Sequence, residues 1–150
     1  MIPVLDWPDY ARDPDAFAAD LGRACRDTGF FLLTGHGIPP ALTDQILREA
    51  DRVFDLPTAD KEKLSILRHG QNRGWVAKGT ERLDEKSGQV DRKEAFNIGL
   101  DLEPDDPRVL AGEPFRALNV WPDLPGFRAT TLRYFNALWG LGVDLHRAVA

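Results

Sequence analysis

The order of segments predicts an α+β unit with more helix than strand. Three observations carry this: strand-forming runs flank a first capped helix, two short extended runs lie mid-chain, and a helical apolar period closes the sequence. With 150 residues, 43% of them hydrophobic, the chain is long enough for one real core and short for two full domains.

Ile2-Pro3-Val4-Leu5-Asp6 reads as extended, because Pro3 biases Ile2 away from helix and suits an edge strand. Asp13-Pro14 then supplies an N-cap and a proline at the first helical position. The helix should run to about Asp27, with Phe17, Leu21 and Ala24/Cys25 as its apolar stripe and Gly29 at its end. Phe30-Phe31-Leu32-Leu33 is apolar without alternation and predicts a buried strand. Gly35-His36-Gly37 breaks that strand, and Pro39-Pro40 opens a second helix with Leu42, Ile46, Ala50 and Val53 on one face. A third, shorter helix is expected from near Thr58, including Lys61 to Leu67.

Beyond Gly70 the pattern changes. Asn72-Arg73-Gly74-Trp75-Val76 reads as a turn feeding a short strand, and Glu94-Ala95-Phe96-Asn97-Ile98 alternates as another, with Gly88 marking the bend between them. Asp101 to Pro114 carries three prolines and Asp105-Asp106, which predicts an exposed loop. Asn119-Val120-Trp121-Pro122 and Leu124-Pro125-Gly126 form a second, more apolar connection. From Phe127 to Ala150 the positions Thr131, Tyr134/Phe135, Leu138, Leu141, Leu145 and Ala148/Val149 keep a helical period over roughly 35 Å. Gly140 and Gly142 each cost that helix about 1 kcal/mol against alanine, so packing must hold it. No stop signal ends it. The expectation is a polypeptide cut inside a larger protein, with a sheet edge here completed by something absent.

Composition excludes several functions. A net charge of −5 is the wrong sign for wrapping a phosphate backbone, so no nucleic-acid partner is expected. No apolar run approaches 18 residues and no signal segment opens the chain, so no membrane partner is expected either. Cys25 is the sole cysteine, which forbids an internal disulfide or thiolate cluster, favours a reducing cytoplasmic setting, and casts Cys25 as a small core residue.

Chemistry is scarce. A non-haem iron centre commonly takes two His and a carboxylate, yet His36, His69 and His146 are followed by Gly37-Ile38, Gly70-Gln71 and Arg147-Ala148, with no His-x-Asp. His36 reads as a turn residue, His69 as solvent-facing and His146 as a helix contact. No HExxH, EF-hand, Walker loop or G-x-S-x-G is present, and Ser65 and Ser87 lack a visible His-and-acid arrangement. The chain is therefore expected to hold no metal, cofactor-binding or catalytic residue of its own. Asn72, Arg73 and Trp75 are the candidates for substrate contact. The guanidinium fork can grip a carboxylate and the indole can form an apolar wall; alternatively Arg73 pairs with a surface acid and Trp75 fills the core.

Six fragments, in order, resemble the N-terminal region of the isopenicillin N synthase-like, iron(II)- and 2-oxoglutarate-dependent oxygenases. They are Ile2-Pro3-Val4-Leu5-Asp6; Gly29-Phe30-Phe31-Leu32-Leu33-Thr34-Gly35-His36-Gly37-Ile38-Pro39; Phe54-Asp55-Leu56-Pro57 with Lys61-Glu62-Lys63-Leu64; Arg73-Gly74-Trp75; Lys93-Glu94-Ala95-Phe96-Asn97-Ile98-Gly99; and Asn119-Val120-Trp121-Pro122-Asp123-Leu124-Pro125-Gly126-Phe127-Arg128. The resemblance implies a catalytic double-stranded β-helix (jelly-roll) core lying C-terminal to this region, where His-x-Asp, a distal His and an Arg-x-Ser pair would hold Fe(II) and 2-oxoglutarate. It implies that residues 1–118 are the N-terminal region and 119–150 the connection and long helix leading into the absent core. The intact parent would hydroxylate or desaturate a small molecule, with this portion as scaffold and pocket wall, and the 150-residue chain alone would be inactive. In penicillin synthase itself the corresponding run is Arg-Thr-Gly-Tyr-Tyr; with its glycine aligned to Gly74, Asn72 replaces the substrate-binding arginine, which argues against that particular activity. The rival expectation is a free-standing, non-catalytic binding or structural domain related to the family.

Overall fold

The computed structural model describes residues 1–80 and 92–149; the expectations placed on Ser87, Gly88 and Ala150 lie outside them. The chain divides into two compact units, Met1–Ile46 with Thr130–Ala150, and Leu47–Ala129.

In the first unit β1 (Val4–Asp6) and β2 (Leu32–Thr34) pair in parallel, with Leu5 opposite Leu33. Their crossover contains α1 (Pro8–Arg12), a single turn that the sequence does not announce, and α2 (Pro14–Asp27). Asp13 caps α2 as predicted, its Oδ1 accepting the Ala16 N–H at 3.0 Å. Phe17, Leu21 and Ala24 form the buried stripe of that helix. Leu5, Phe17, Leu21 and Ala148 make the core, with Trp7, Tyr10, Phe31 and Leu33 packed around it. Full burial of a side chain such as Leu21 contributes about 2 kcal/mol.

Two expectations are corrected here. The strand expected over Phe30–Leu33 is β2, Leu32–Thr34, and the run is buried on one side only: Phe31 and Leu33 turn to the core, whereas Phe30 and Leu32 are 70% and 57% exposed. Helix covers one side of the two-stranded sheet, and Val4 shares the open side with Leu32. Cys25 is exposed rather than a core residue. The α2 stripe steps from Leu21 to Ala24, and Cys25 lies one helical position, about 100°, further round.

Two long helices belong partly to each unit, α3 (Pro40–Phe54) and α7 (Phe127–Val149). Within the first unit, Arg133 of α7 donates to Gln45 Oε1 of α3 at 2.6 Å. Thr131 and Ala148 are buried, but Leu138, Trp139 and Val143 remain exposed, and Phe135 stacks on Trp139 with centroids 5.9 Å apart.

The second unit corrects the third helix, which is two: α4 (Thr58–Lys63) and α5 (Ile66–His69). The Leu64 carbonyl accepts the Trp75 N–H at 2.8 Å, and Ser65 starts α5 by accepting from Leu67 N. Continuing the helix would remove both bonds. β3 (Gly74–Val76) and β4 (Ala95–Asn97) pair antiparallel, with Trp75 opposite Phe96. The exposed loop expected over 101–114 contains one helical turn, α6 (Pro107–Leu110), started by Asp106 accepting from Arg108 N. Phe127 is buried against the edges of Phe96 and Trp121.

Candidate substrate-contact site

Gly74 determines how the candidate residues are presented. Its φ of +105° suits glycine, and a Cβ there would collide with the Leu64 carbonyl oxygen. The chain can thus pass close to the end of α4 and place Arg73, Trp75 and Val76 inside.

Arg73 is 9% exposed. Neither alternative drawn from sequence describes its present contacts. Its Nη1 donates to the Asn72 carbonyl at 2.6 Å and its Nη2 to the Phe115 carbonyl at 2.8 Å. The guanidinium lies over Gly99, where it fills the space a Cβ would need, and its Nε is buried without a partner. Burial, then the neighbouring charge of Arg116, lowers the Arg73 pKa from its ordinary value, yet an arginine stays charged. The fork holds main-chain carbonyls and so works as a clamp.

The clamp has a strained partner. Phe115 has φ +62°, the one positive value for a non-glycine among the described residues, which costs roughly 1–2 kcal/mol. The residue is nevertheless 76% exposed. Gln71 makes a second tie, Nε2 donating to the Leu118 carbonyl at 3.0 Å. Between the 70–73 turn and the 112–118 loop lies an open cleft of about 610 Å³, with Asn72, Phe115 and Arg116 in its lining. Asn72 is exposed there, and its Oδ1 accepts from Asn97 Nδ2 at 2.5 Å.

Trp75 takes a different direction and does not line this cleft. It is buried, its Nε1 donates to Glu94 Oε2 at 2.8 Å, and Lys61 Nζ stands 5.5 Å from its ring centroid. Lys61 also donates to Glu94 Oε2 at 3.1 Å and to the Phe54 carbonyl at 2.8 Å. Burial pushes the Glu94 pKa up, but the hydrogen bonds from Trp75 and Lys61 and the lysine charges outweigh it, leaving it below the usual carboxylate value. The structure thus brings Asn72 and Arg73 to one cleft and sends Trp75 to a polar cluster behind it.

Sequence reasoning overlooked Phe115, Glu94 and Asn119. Asn119 joins its amide to Gly99, accepting the Gly99 N–H at 2.8 Å and donating to its carbonyl at 3.1 Å. A charged residue opening an otherwise apolar alternation was the available signal for Glu94; Phe115 had none, since a φ value is not written in residue type.

The described residues do not fit an iron centre. No group of three His, Cys, Asp or Glu side chains gathers among them. His36 Nδ1 accepts the Ile38 N–H, while His69 and His146 bond the carbonyls of Lys63 and Gly142.

Comparison with known proteins supplies the remaining identification. Residues 2–124 match the family described as non-haem dioxygenase in morphine synthesis, N-terminal. The chain is 35% identical over 148 residues to the 2-oxoglutarate-dependent dioxygenase thnC of Trichoderma harzianum, covering 94% of this chain and 44% of thnC. It is 33% identical to kihadalactone A synthase LFS of Citrus sinensis, covering 99% of this chain and 45% of that enzyme. Among solved structures, a 2OG-Fe(II) oxygenase family protein of Caulobacter crescentus superposes with TM-score 0.82 at 28% identity, over 100% of this chain and 48% of that one. A full-length Neurospora crassa protein, solved in complex with alpha-KG, gives 0.76 at 26% identity, over 99% of this chain and 46% of that one. The chain spans a little under half the length of these relatives, and no helix among the described residues is long and apolar enough to cross a membrane. It belongs to the non-haem dioxygenase N-terminal family, whose model covers most of its length.

Proposed function

We propose that this chain is the N-terminal portion of a cytoplasmic iron(II)- and 2-oxoglutarate-dependent oxygenase that hydroxylates or desaturates a small molecule. Residues 1–118 serve as scaffold, with Asn72, Arg73 and Trp75 forming or backing a substrate-pocket wall. Residues 119–150 are the connection and helix leading into a C-terminal β-helix core that holds the iron. One observation carries the reading: nearly all of this chain aligns with less than half of enzymes whose names state that chemistry. The open faces of the β1–β2 sheet and of α7 support it, because both bear large apolar side chains that a missing layer would cover. Because this proposal puts the iron ligands in the C-terminal core, the chain alone is inactive on it.

The test is the reading frame beyond Ala150 and the protein it encodes. A His-x-Asp pair, a distal His and substrate-dependent conversion of 2-oxoglutarate to succinate are expected. A natural stop directly after Ala150, with a cooperatively folding monomer or dimer, would establish the free-standing domain instead.

A further inference from the structure

We infer that the cleft between the 70–73 turn and the 112–118 loop takes a small organic acid, its apolar body against Phe115 and its carboxylate on Arg116. This rests on the reading of the 70–73 turn as a pocket wall. It transfers the role of carboxylate ligand from Arg73, where residue type suggests it, to Arg116, where the contacts leave it available.

Arg73 Nη2 and the Gln71 amide donate to the Phe115 and Leu118 carbonyls of the loop, and Arg73 Nη1 donates to the Asn72 carbonyl of its own turn, so these side chains build the cleft and have those donors engaged. Arg116 lines the same cleft, and its guanidinium makes no hydrogen bond or ion pair among the described residues. Arg73 and Arg116 both line this cleft, and two like charges in one lining favour an anion beside them. Phe115 adds the second half of the ligand. A bulky residue is held at positive φ by a buried clamp, and the result is a phenyl ring presented to the cleft mouth instead of packed away. A ligand that covers that ring gains burial, which an inorganic anion cannot. Glu113 is the acidic member of the lining, and its charge opposes a carboxylate bound there. The cleft volume of about 610 Å³ suits a molecule of small-metabolite size.

The experiment titrates the isotopically labelled chain with 3-phenylpropionate and with its neutral amide, following backbone amide signals by NMR. The acid should shift residues 71–73 and 112–118 saturably and bind about 10-fold tighter than the amide, as a charge-assisted pair would give. Arg116→Gln should erase that preference, Arg116→Lys should keep part of it, and Glu113→Gln should strengthen acid binding. Phe115→Gly, which also relieves the φ strain, should weaken acid and amide alike. Equal binding of acid and amide, or shifts confined to other residues, overturns the proposal. Should Arg116→Gln fail to fold, the Arg116→Lys and Glu113→Gln titrations decide it, and unchanged affinity in both overturns it. Loss of the acid preference beside intact 2-oxoglutarate turnover in the longer protein refutes only the ligand class. A retained preference without turnover refutes only the oxygenase reading.

Discussion

Glu94 is the acceptor on which the interior of the second unit turns, and replacing it separates charge from hydrogen bonding. Glu94→Ala removes the partner of Trp75 Nε1 at 2.8 Å and of Lys61 Nζ at 3.1 Å in one step. An indole N–H orphaned beneath the surface costs about 1–3 kcal/mol. A fully buried ion pair broken from one side costs about 3–5 kcal/mol. The side chains of Lys61 and Glu94 keep 11% and 18% exposure, and Lys61 retains the Phe54 carbonyl, so less than half of that applies. The expected loss is about 2–4 kcal/mol for Glu94→Ala and about 1 kcal/mol for Glu94→Gln, which preserves an oxygen for Trp75. Urea midpoints followed by far-UV circular dichroism measure both. Because the folded pKa of Glu94 is lowered, its stabilisation is present above its ordinary value of 4.5 and is lost as pH falls through the folded pKa. The gap between wild type and Glu94→Gln should therefore close in acid. Equal losses for the Ala and Gln variants, or a gap unchanged from pH 7 to 3, would refute the assignment of this energy to the charged network.

Gly74→Ala should be among the most damaging small substitutions. The combined φ penalty and collision with the Leu64 carbonyl should cost upwards of about 3 kcal/mol, read as a lowered urea midpoint. Asp106 should titrate with a midpoint of about 2 by carbon-detected NMR, held down first by the side chain of Arg108 and then by its N–H; Arg108→Gln should move that midpoint upward. On α7, Trp139→Glu with Val143→Lys should raise the solubility of this chain, measured by concentration-dependent light scattering, while leaving its thermal midpoint within about 2 °C, because both side chains face solvent. The same pair should lower the midpoint of the longer protein if the proposed core covers that face.

Much of the fold is legible in the sequence because local chemistry decides it. Asp13-Pro14 caps a stretch whose apolar period is helical from the start, and the unbroken period after Phe127 continues as one helix. Legibility fails where tertiary contacts override local preference. Nothing in Lys61 to Leu67 announces that a carbonyl at Leu64 will be taken by Trp75, yet that bond splits one helix into two. The exposure of Phe30 and Leu32 escapes the sequence because a run of apolar residues reports the need for cover, not whether this chain provides it. In the candidate site, residue type correctly marks Arg73 as a strong donor but cannot say what will accept. The answer depends on Phe115, far along the chain and in a backbone state that its side chain does not favour.

The open side of the β1–β2 sheet and the stacked Phe135–Trp139 face also bear on biosynthesis. If the proposed C-terminal core follows this region and takes up most of the length of thnC left unmatched, about 190 residues, it needs roughly 10–40 s to appear at ribosomal speeds. During that interval a nascent chain of this design would hold an apolar sheet face and an aromatic ridge without cover, a form that chaperones bind and proteases test. Slow codons just after this region would lengthen the exposure. Yield in the cell would then depend on the timing of translation as well as on the stability of the finished protein.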